Sequence, residues 1–522
     1  MDHSAPGDDH DLTVLGEVLP DGVEPAGGAA AAPPAAGRLP LGGWSWSIFQ
    51  GGRDPYVILI TIYIFAPYFT TAVVGDPVKG QAMIATVSTL NSIFIAFTAP
   101  ILGAAIDRYG ARKPLMLAIV ACMAPLIFAL WFSKPGGAGL PVMGGLWLFG
   151  IIGVLFAFCE VVHNSMLITA AGPRHAPQAS GLALSAGNFF SVITLTFCLL
   201  AFALPGNPAV AGWPLVPDHP LFGLDPSQAE TSRIVAPIAA VLLVLFSIPL
   251  FLFTPDAKKT GTSFVNACKQ AAAHMGKVAL SLIQAIAKGP GERREALGEI
   301  ITERDAVIYL GARMLFNDGM TALLIFSGIY TAGVMQWQIL EMLAYGILLS
   351  IFAVIGGLSG ALFDNLFGPR NAVRIEILGS LVCLVAWLGM RRDRIVYFWS
   401  YDASAHAPLW NGPMFRTLPE WIYLAIGFAV AVFVTAQYAS SRTLLTRLTP
   451  PEQTGAFFGV YAVSGVATAW LAPTMVNLGT RITNTQQWGF AMLLVLLAIG
   501  LVTLFFVKGG GQGAHYGAAT PG

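Results

Sequence analysis

The feature that most restricts this chain is a set of apolar runs about twenty residues long, the length of helix that crosses a hydrocarbon layer about 30 Å thick at 1.5 Å per residue. They begin near Tyr56, Ala82, Pro114, Val142, Gly181 and Ile234, and again near Ala306, Ile339, Ala372, Trp421, Phe457 and Gly489. The pattern predicts an all-α integral membrane protein, twelve transmembrane helices in two six-helix halves, seated in a lipid bilayer. Only 11% of the 522 residues carry charge, against about 25% in an average soluble domain, so a water-soluble surface could not be covered. The 28 basic and 28 acidic residues cancel, which leaves no basic field to attract nucleic acid.

Chemistry-bearing motifs of the common enzyme classes are absent from the sequence. It contains no H-E-x-x-H, G-x-S-x-G or P-loop pattern, and the expectation is a protein that is not an enzyme. Cys122, Cys159, Cys198, Cys268 and Cys383 show no C-x-x-C spacing, so neither a disulfide framework, a metal site nor another cofactor is expected.

The organisation follows from where polarity interrupts the runs. Residues 1–42 hold seven acidic residues and one basic one, Arg38, in an Ala-, Gly- and Pro-rich context, and read as a disordered tail. This stretch lacks the order of charges and apolar residues that marks a secretory signal. Residues 43–254 form the first half, 255–304 a linker with eight basic residues, 305–508 the second half, and 509–522 a second tail. Placing both ends on one side puts 19 basic residues there and 8 opposite, with Arg313 inside a helix. The positive-inside rule then predicts cytoplasmic termini in an inner or plasma membrane. Arg391, Arg392 and Arg394 run against that trend on the outer side. In the linker, Val278, Leu282 and Ile286 of the stretch 268–288 recur at helical spacing. An amphipathic helix on the inner leaflet and a helix packed on the ends of the bundle fit equally. Trp44 and Trp46, ahead of the first run, read as interface anchors.

One loop pattern occurs twice at corresponding places. GAAIDRYGARK, Gly103 to Lys113, follows the second run, and GALFDNLFGPR, Gly360 to Arg370, follows the eighth. Aligned on Asp107 and Asp364, the turn glycines Gly110 and Gly368 fall three and four residues later. Gly103 and Gly360 would let a helix approach its neighbour, the second glycine would permit a tight turn, and the carboxylate could sit at the positive end of an adjacent helix. With Arg108, Arg112, Lys113 and Arg370, these residues form a candidate cytoplasmic gate. A duplicated loop in two halves is the mark of a duplicated transporter architecture.

This loop resembles the signature of the major facilitator superfamily. IYIFAPYF (Ile62 to Phe69), MLFNDGM (Met314 to Met320), QYASSRTLLTRLTP (Gln437 to Pro450), and FFGVYAVSG with TAWLAP (Phe457 to Pro473) are similar to the branch of the vacuolar amino-acid effluxers of the autophagy-related type. The resemblance implies the major facilitator fold, a small-molecule substrate with amino acids as one class, proton or sodium coupling, and a loop aspartate that helps latch the cytoplasmic side. Where that branch carries an Asp-Trp-Ala-Asn run in its first helix, this chain has Gln50, Gly51, Gly52 and Arg53, and Val466 stands where a lysine often follows a Ser-Gly pair.

Ionisable residues inside apolar runs are costly unless paired or hydrated, so each is a candidate for substrate binding or coupling. Arg313 and Asn317 are four apart in the seventh run with Asp318 adjacent, an arrangement that predicts a neutralised network facing the central cavity, or an ion pair near the cytoplasmic end. In the fourth run, Glu160, His163 and Asn164 share a face; Glu160 and His163 could relay a proton or simply form a polar helix end. Asn91, Asn188 and Gln437 could bind a polar solute or tie helices together. Arg442 and Arg447 follow the tenth run and suit a role in orientation or gating. The function expected is secondary active transport of a small polar solute by alternating access; the alternative is a transporter-like scaffold or assembly factor without transport.

Overall fold

The computed structural model describes residues 38–172, 175–210, 212–273, 304–449, 461, 464, 465 and 467–510. Eleven helical segments among them are long and apolar enough to cross a membrane. The helices of the first half are α1 (Leu41–Arg53), α2 (Pro77–Tyr109), α3 (Lys113–Ala129), α4 (Val142–Ser165), α5 (Ala176–Cys198) and α6 (Val235–Phe253). Those of the second are α7 (Arg304–Met335), α8 (Ile339–Phe367), α9 (Pro369–Leu388), α10 (Leu418–Leu448), α11 (Leu471–Thr483) and α12 (Gln486–Leu504). The run expected from Phe457 starts outside the described residues, and α11 is its described part. The tails 1–37 and 511–522, Val466 and the linker positions Val278, Leu282 and Ile286 also lie outside them.

The first span corrects the expected start at Tyr56: it begins at Leu41 and continues to Val73. Its opening turns carry Gly42, Gly43, Gly51 and Gly52 with serines and tryptophans, and read as too polar for lipid because they face protein instead. A Cβ on Gly52 would lie 2.4 Å from Phe246 Cβ and 2.5 Å from the Leu242 carbonyl of α6, so glycine is what allows α1 and α6 to touch. Trp46 is therefore not an interface anchor but a core residue, 3% exposed. Arg53, counted with the inner loops, belongs to this span. Pro55 lacks the N–H that would continue the helix, and beyond Asp54 the backbone proceeds through π-helical turns at Val57–Tyr63 and Phe69–Val73. Such turns concentrate at functional places.

The halves pack internally as α1 against α5 and α6, α2 against α4, and α3 against α6; in the second, α8 and α9 lie against α10, and α7 and α11 against α12. Between halves, α2 meets α11, α5 meets α8, and the π-helical part of the first span meets α7 and α8. Both described chain ends lie on one face of the bundle, called here the terminal face. The opposite, distal face carries a 29-residue connection between α9 and α10, with a two-stranded antiparallel hairpin of β1 (Arg394–Ile395) and β2 (Trp399–Ser400).

Candidate functional site

In the first half, the charged centre lies at the break in the first span. Arg53, 5% exposed, donates through Nε and Nη2 to Asp54 Oδ1 at 3.1 and 3.0 Å. Gln50 Nε2 donates to the other carboxylate oxygen at 2.9 Å. The guanidinium lies 5.2 Å from the Phe156 ring centre, and its Nη1 is buried without a partner. A carboxylate fits beside α5 because Gly187 has no side chain: a Cβ there would stand 2.2 Å from Asp54 Oδ2. This pair was passed over in the sequence, where Arg53 closed a departure from a familiar string and Asp54 was not weighed. A proline directly after two adjacent opposite charges was the available cue.

The expected Glu160 and His163 relay does not form. His163 is fully buried, stacks on Trp46 at 4.3 Å, and donates through Nε2 to the Trp46 carbonyl at 2.9 Å. Trp46 Nε1 returns a bond to the His163 carbonyl at 2.7 Å. The ring therefore clasps α1 to α4. Glu160 and Asn164 are exposed, and Glu160 acts electrostatically on Arg53 rather than on the histidine ring. Asn91 Nδ2 donates to the Gly150 carbonyl of α4 at 3.0 Å, the helix-tying role. Asn188, next to Gly187, is exposed.

In the second half, Arg313 and Asp318 do not neutralise each other. Arg313 Nη1 donates to the Tyr461 carbonyl and Ser464 Oγ, both at 2.8 Å, and its guanidinium lies 3.4 Å from the Tyr461 ring centre. Asp318 Oδ2 accepts from the Ala472 backbone N–H at 2.9 Å. Ala472 is the second residue of α11, after turns at 467–470, so a carboxylate of α7 sits at the positive end of a helix that starts inside the bundle. Pro473, which cannot donate to the preceding turn, explains the break. Asn317 is buried beside it. Gln437 is fully buried, donates to Ser441 Oγ at 2.5 Å and leaves Oε1 without a partner. Glu376, which the sequence reading missed, is fully buried in α9, accepts from Ser440 Oγ at 2.9 Å, and leaves Oε2 without a partner. A single glutamate four residues after Ala372, where the ninth run begins, was its cue.

The two loop copies are built differently. Gly110 and Gly368 both take the positive φ the turns require, 86° and 77°. Asp107 pairs with Arg112 at 3.5 Å. The carboxylate at the positive end of α3 is not Asp107, however, but Asp256 from the linker, which accepts from the Arg112 and Lys113 backbone N–H groups at 2.8 and 3.2 Å. Lys113 Nζ donates to the Phe251 carbonyl, and Arg108 to its own helix at Ala104. Gly103 does not serve a close approach, since no described atom lies within 4 Å of where its Cβ would be. Gly360 does, with the Ala436 carbonyl at 3.0 Å and Ala439 Cβ at 3.1 Å. Asp364 leaves Oδ1 buried without a hydrogen-bond partner, and Arg370 donates through its backbone to Gly510 and through its side chain to Lys508.

Across the halves, a polar seam closes the distal side, and it includes Arg481 Nη2 donating to Thr86 Oγ1 at 3.2 Å. Gln81 of α2, fully buried, donates to Thr480 Oγ1 at 2.9 Å and to the Gln486 carbonyl at 3.2 Å. Gln486 Nε2 donates to the Pro77 carbonyl at 3.0 Å, and Thr474 to Thr89 at 3.2 Å. Gly489 makes room, because its Cβ would stand 1.9 Å from Thr480 Oγ1 and 2.7 Å from Gln81 Nε2. Tyr63 of the first span meets Tyr345 of α8 edge-on at 5.9 Å, a further contact between the halves. At 100° per residue, Gly103 projects within about 40° of Gln81 and Thr89. The stripe of α2 that joins the halves distally is therefore open at its terminal end.

Residues 169–510 match the family described as vacuole effluxer Atg22 like. A Bacillus subtilis (strain 168) protein named an uncharacterized MFS-type transporter, YxiO, is 20% identical over 481 residues, 89% of this chain and 94% of that protein. The solved nucleoside transporter NupG superposes with a TM-score of 0.54 at 12% identity, covering 89% of this chain and 98% of its own. A D-xylose–proton symporter superposes at 0.56 and 10% identity, covering 90% and 97%. These structures share the fold.

Proposed function

Because the chain belongs to the Atg22-like effluxer family of major facilitator transporters, we propose that it is a secondary active transporter of a small polar solute, coupled to protons and working by alternating access. The observation that carries this reading is the pair of buried Arg53 and part-buried Asp54 with its unpartnered Nη1. Ionisable groups inside a membrane bundle mark functional sites by default, and this pair keeps a buried donor, Nη1, that a solute could take. A proton taken by Asp54 frees the guanidinium to hold an anionic group of the solute, and loss of that proton restores the pair and releases it. Asp318, held at the start of α11 by one backbone N–H, is the corresponding acidic group of the second half. The distal seam supports a terminal-side-open state, since its hydrogen bonds join neutral side chains and the exposed Arg481 and can part without leaving a buried charge unpaired. Amino acids are the first solute class to test, and the excess of basic residues on the terminal face supports cytoplasmic termini in an inner or plasma membrane.

The test is flux into liposomes holding the purified protein, with a panel of amino acids and other small polar solutes, under a proton gradient and separately a sodium gradient. Proton-driven movement of at least one solute is expected. Flux that follows sodium alone removes proton coupling, and no flux of any solute under either gradient supports a scaffold without transport.

A further inference from the structure

Along the contact between α8 and α10, Phe352 stacks on Phe428 with ring centres 4.0 Å apart. A Cβ on Gly356 would stand 2.6 Å from the Val432 carbonyl, and one on Gly360 would stand 3.0 Å from the Ala436 carbonyl. Both helices advance by four residues, about one turn, at each step, so the next pair toward the terminal face is Asp364 with Ser440. Ser440 is fully buried, and its Oγ donates to Glu376 Oε1 of α9 at 2.9 Å. Two carboxylates, one from α8 and one from α9, therefore flank a single serine hydroxyl, and Asp364 acts electrostatically on Glu376.

Acceptors outnumber donors at this place. A hydroxyl has one proton to donate, and Ser440 gives it to Glu376 Oε1. Glu376 Oε2 and Asp364 Oδ1 are buried without a partner. So is Oε1 of the fully buried Gln437, which stands one turn before Ser441 on α10 and directs its amide N–H to Ser441 Oγ. Among the described residues, no basic side chain lies within 4.0 Å of either carboxylate. Arg374, on the opposite side of α9 from Glu376, donates to the carbonyls of Leu504 and Val507. The Tyr309 hydroxyl donates to the Ser441 carbonyl, and Arg447 acts on Asp364 from farther off. A fully buried carboxylate oxygen with neither donor nor countercharge is among the costliest groups to bury.

We propose that Glu376, Asp364 and Ser440 form a binding site for a small monovalent cation, sodium, at the terminal end of the second half. Carboxylate, hydroxyl and amide oxygens are the ligands that hard cations take. A water molecule can donate to the bare oxygens but brings no charge to set against two carboxylates, and a proton bridges only two of the three. With Arg447 set against Asp364, one negative charge remains, which a monovalent ion neutralises and a divalent ion would exceed. Asp364 is part-exposed in the last turn of α8, which gives the ion a way in from the terminal face. All three ligands belong to the second half, so the site does not depend on the halves meeting and is separate from the Arg53 and Asp54 pair of the first.

The test reads binding rather than transport. The melting temperature of the purified full chain is followed as sodium chloride replaces choline chloride at fixed pH and ionic strength, and bound radioactive sodium is counted by scintillation proximity. A saturable, sodium-dependent rise in melting temperature is expected, with bound sodium displaced by unlabelled sodium far more readily than by potassium. Glu376→Gln should weaken sodium binding by about tenfold or more. Because glutamine needs no countercharge, that variant without sodium should melt no lower than the sodium-free wild type. Asp364→Asn, at a part-exposed position, should weaken binding likewise and keeps the test open if the first variant does not fold. No saturable sodium binding by the wild type, or undiminished binding in both variants, overturns the site. Melting that responds to pH in sodium-free buffer but not to sodium would mark a proton shared by the carboxylates and overturns the sodium assignment.

Discussion

Replacing Gly187 by alanine changes the candidate coupling site without touching a charged group. The new Cβ would stand 2.2 Å from Asp54 Oδ2, and ordinary contact begins at 3.4 Å, so the carboxylate must retreat by about 1.2 Å. If the retreat lies along the line to Arg53, the 3.0 Å separation grows to about 4.2 Å. At an effective dielectric constant of about 20, the attraction falls from about 5.5 to about 4.0 kcal/mol. A weakening of about 1.5 kcal/mol corresponds to roughly a tenfold change in the equilibrium between paired and unpaired states. The obstacle is the end of a side chain rather than backbone, so the bundle should absorb it with little loss of stability. Proton-driven flux should therefore change about tenfold, while the melting temperature in detergent stays within a few degrees of wild type. Wild-type flux in a variant that folds normally would refute the assignment of Asp54 to the coupling step.

Asp54→Asn leaves Arg53 buried with a neutral partner and should cost about 3 kcal/mol or more of stability along with loss of proton-driven flux; a variant that melts and transports like wild type contradicts both roles. Asp318→Asn keeps an oxygen for the Ala472 N–H, so insertion and folding should persist while flux falls by at least tenfold in the same liposome assay. Gly489→Ala drives a methyl into the Gln81 and Thr480 contact; overpacking of this kind costs about 1–3 kcal/mol, and cysteine accessibility on the distal side should rise as the seam parts. Asp256→Ala removes the cap of α3 and should cost about 1 kcal/mol, read as a lower melting temperature with the Asp107 and Arg112 loop more open to labelling.

Helices that face lipid were legible because the solvent they meet is apolar: α6 and α8 were placed close to their actual starts by their runs alone. Helices that face protein were harder to read. The first turns of α1, rich in glycine, serine and tryptophan, are hidden against α5 and α6, so hydropathy placed the span at Tyr56, fifteen residues after Leu41. The same interior position concealed Arg53 and Asp54 as a site. For Arg313 and Asp318, adjacency along α7 suggested a pair, but each side chain found its partner on the eleventh span, one at Tyr461 and Ser464 and the other at Ala472. Sequence spacing reports which side chains share a helix face; it does not report which neighbouring helix offers a better partner.

The repeated loop carries the same limit one level higher. Its two copies implied two equivalent latches, yet what holds each is the chain that follows the last helix of its own half. After α6, the linker supplies Asp256 to the backbone of Arg112 and Lys113, and the Thr260 hydroxyl and N–H to the carbonyls of Arg108 and Tyr109. After α12, the carbonyls of Lys508 and Gly510 receive Arg370, those of Leu504 and Val507 receive Arg374, and Asp305 accepts from the N–H groups of Lys508 and Gly509. Each strap therefore ties to its own half, and a rocking motion of the halves would carry it along intact. The first strap uses a carboxylate at a helix end and the second uses carbonyls facing arginines, so salt and side-chain substitution should affect the two loops unequally. The two halves keep the device at the same position, while the chemistry holding it differs.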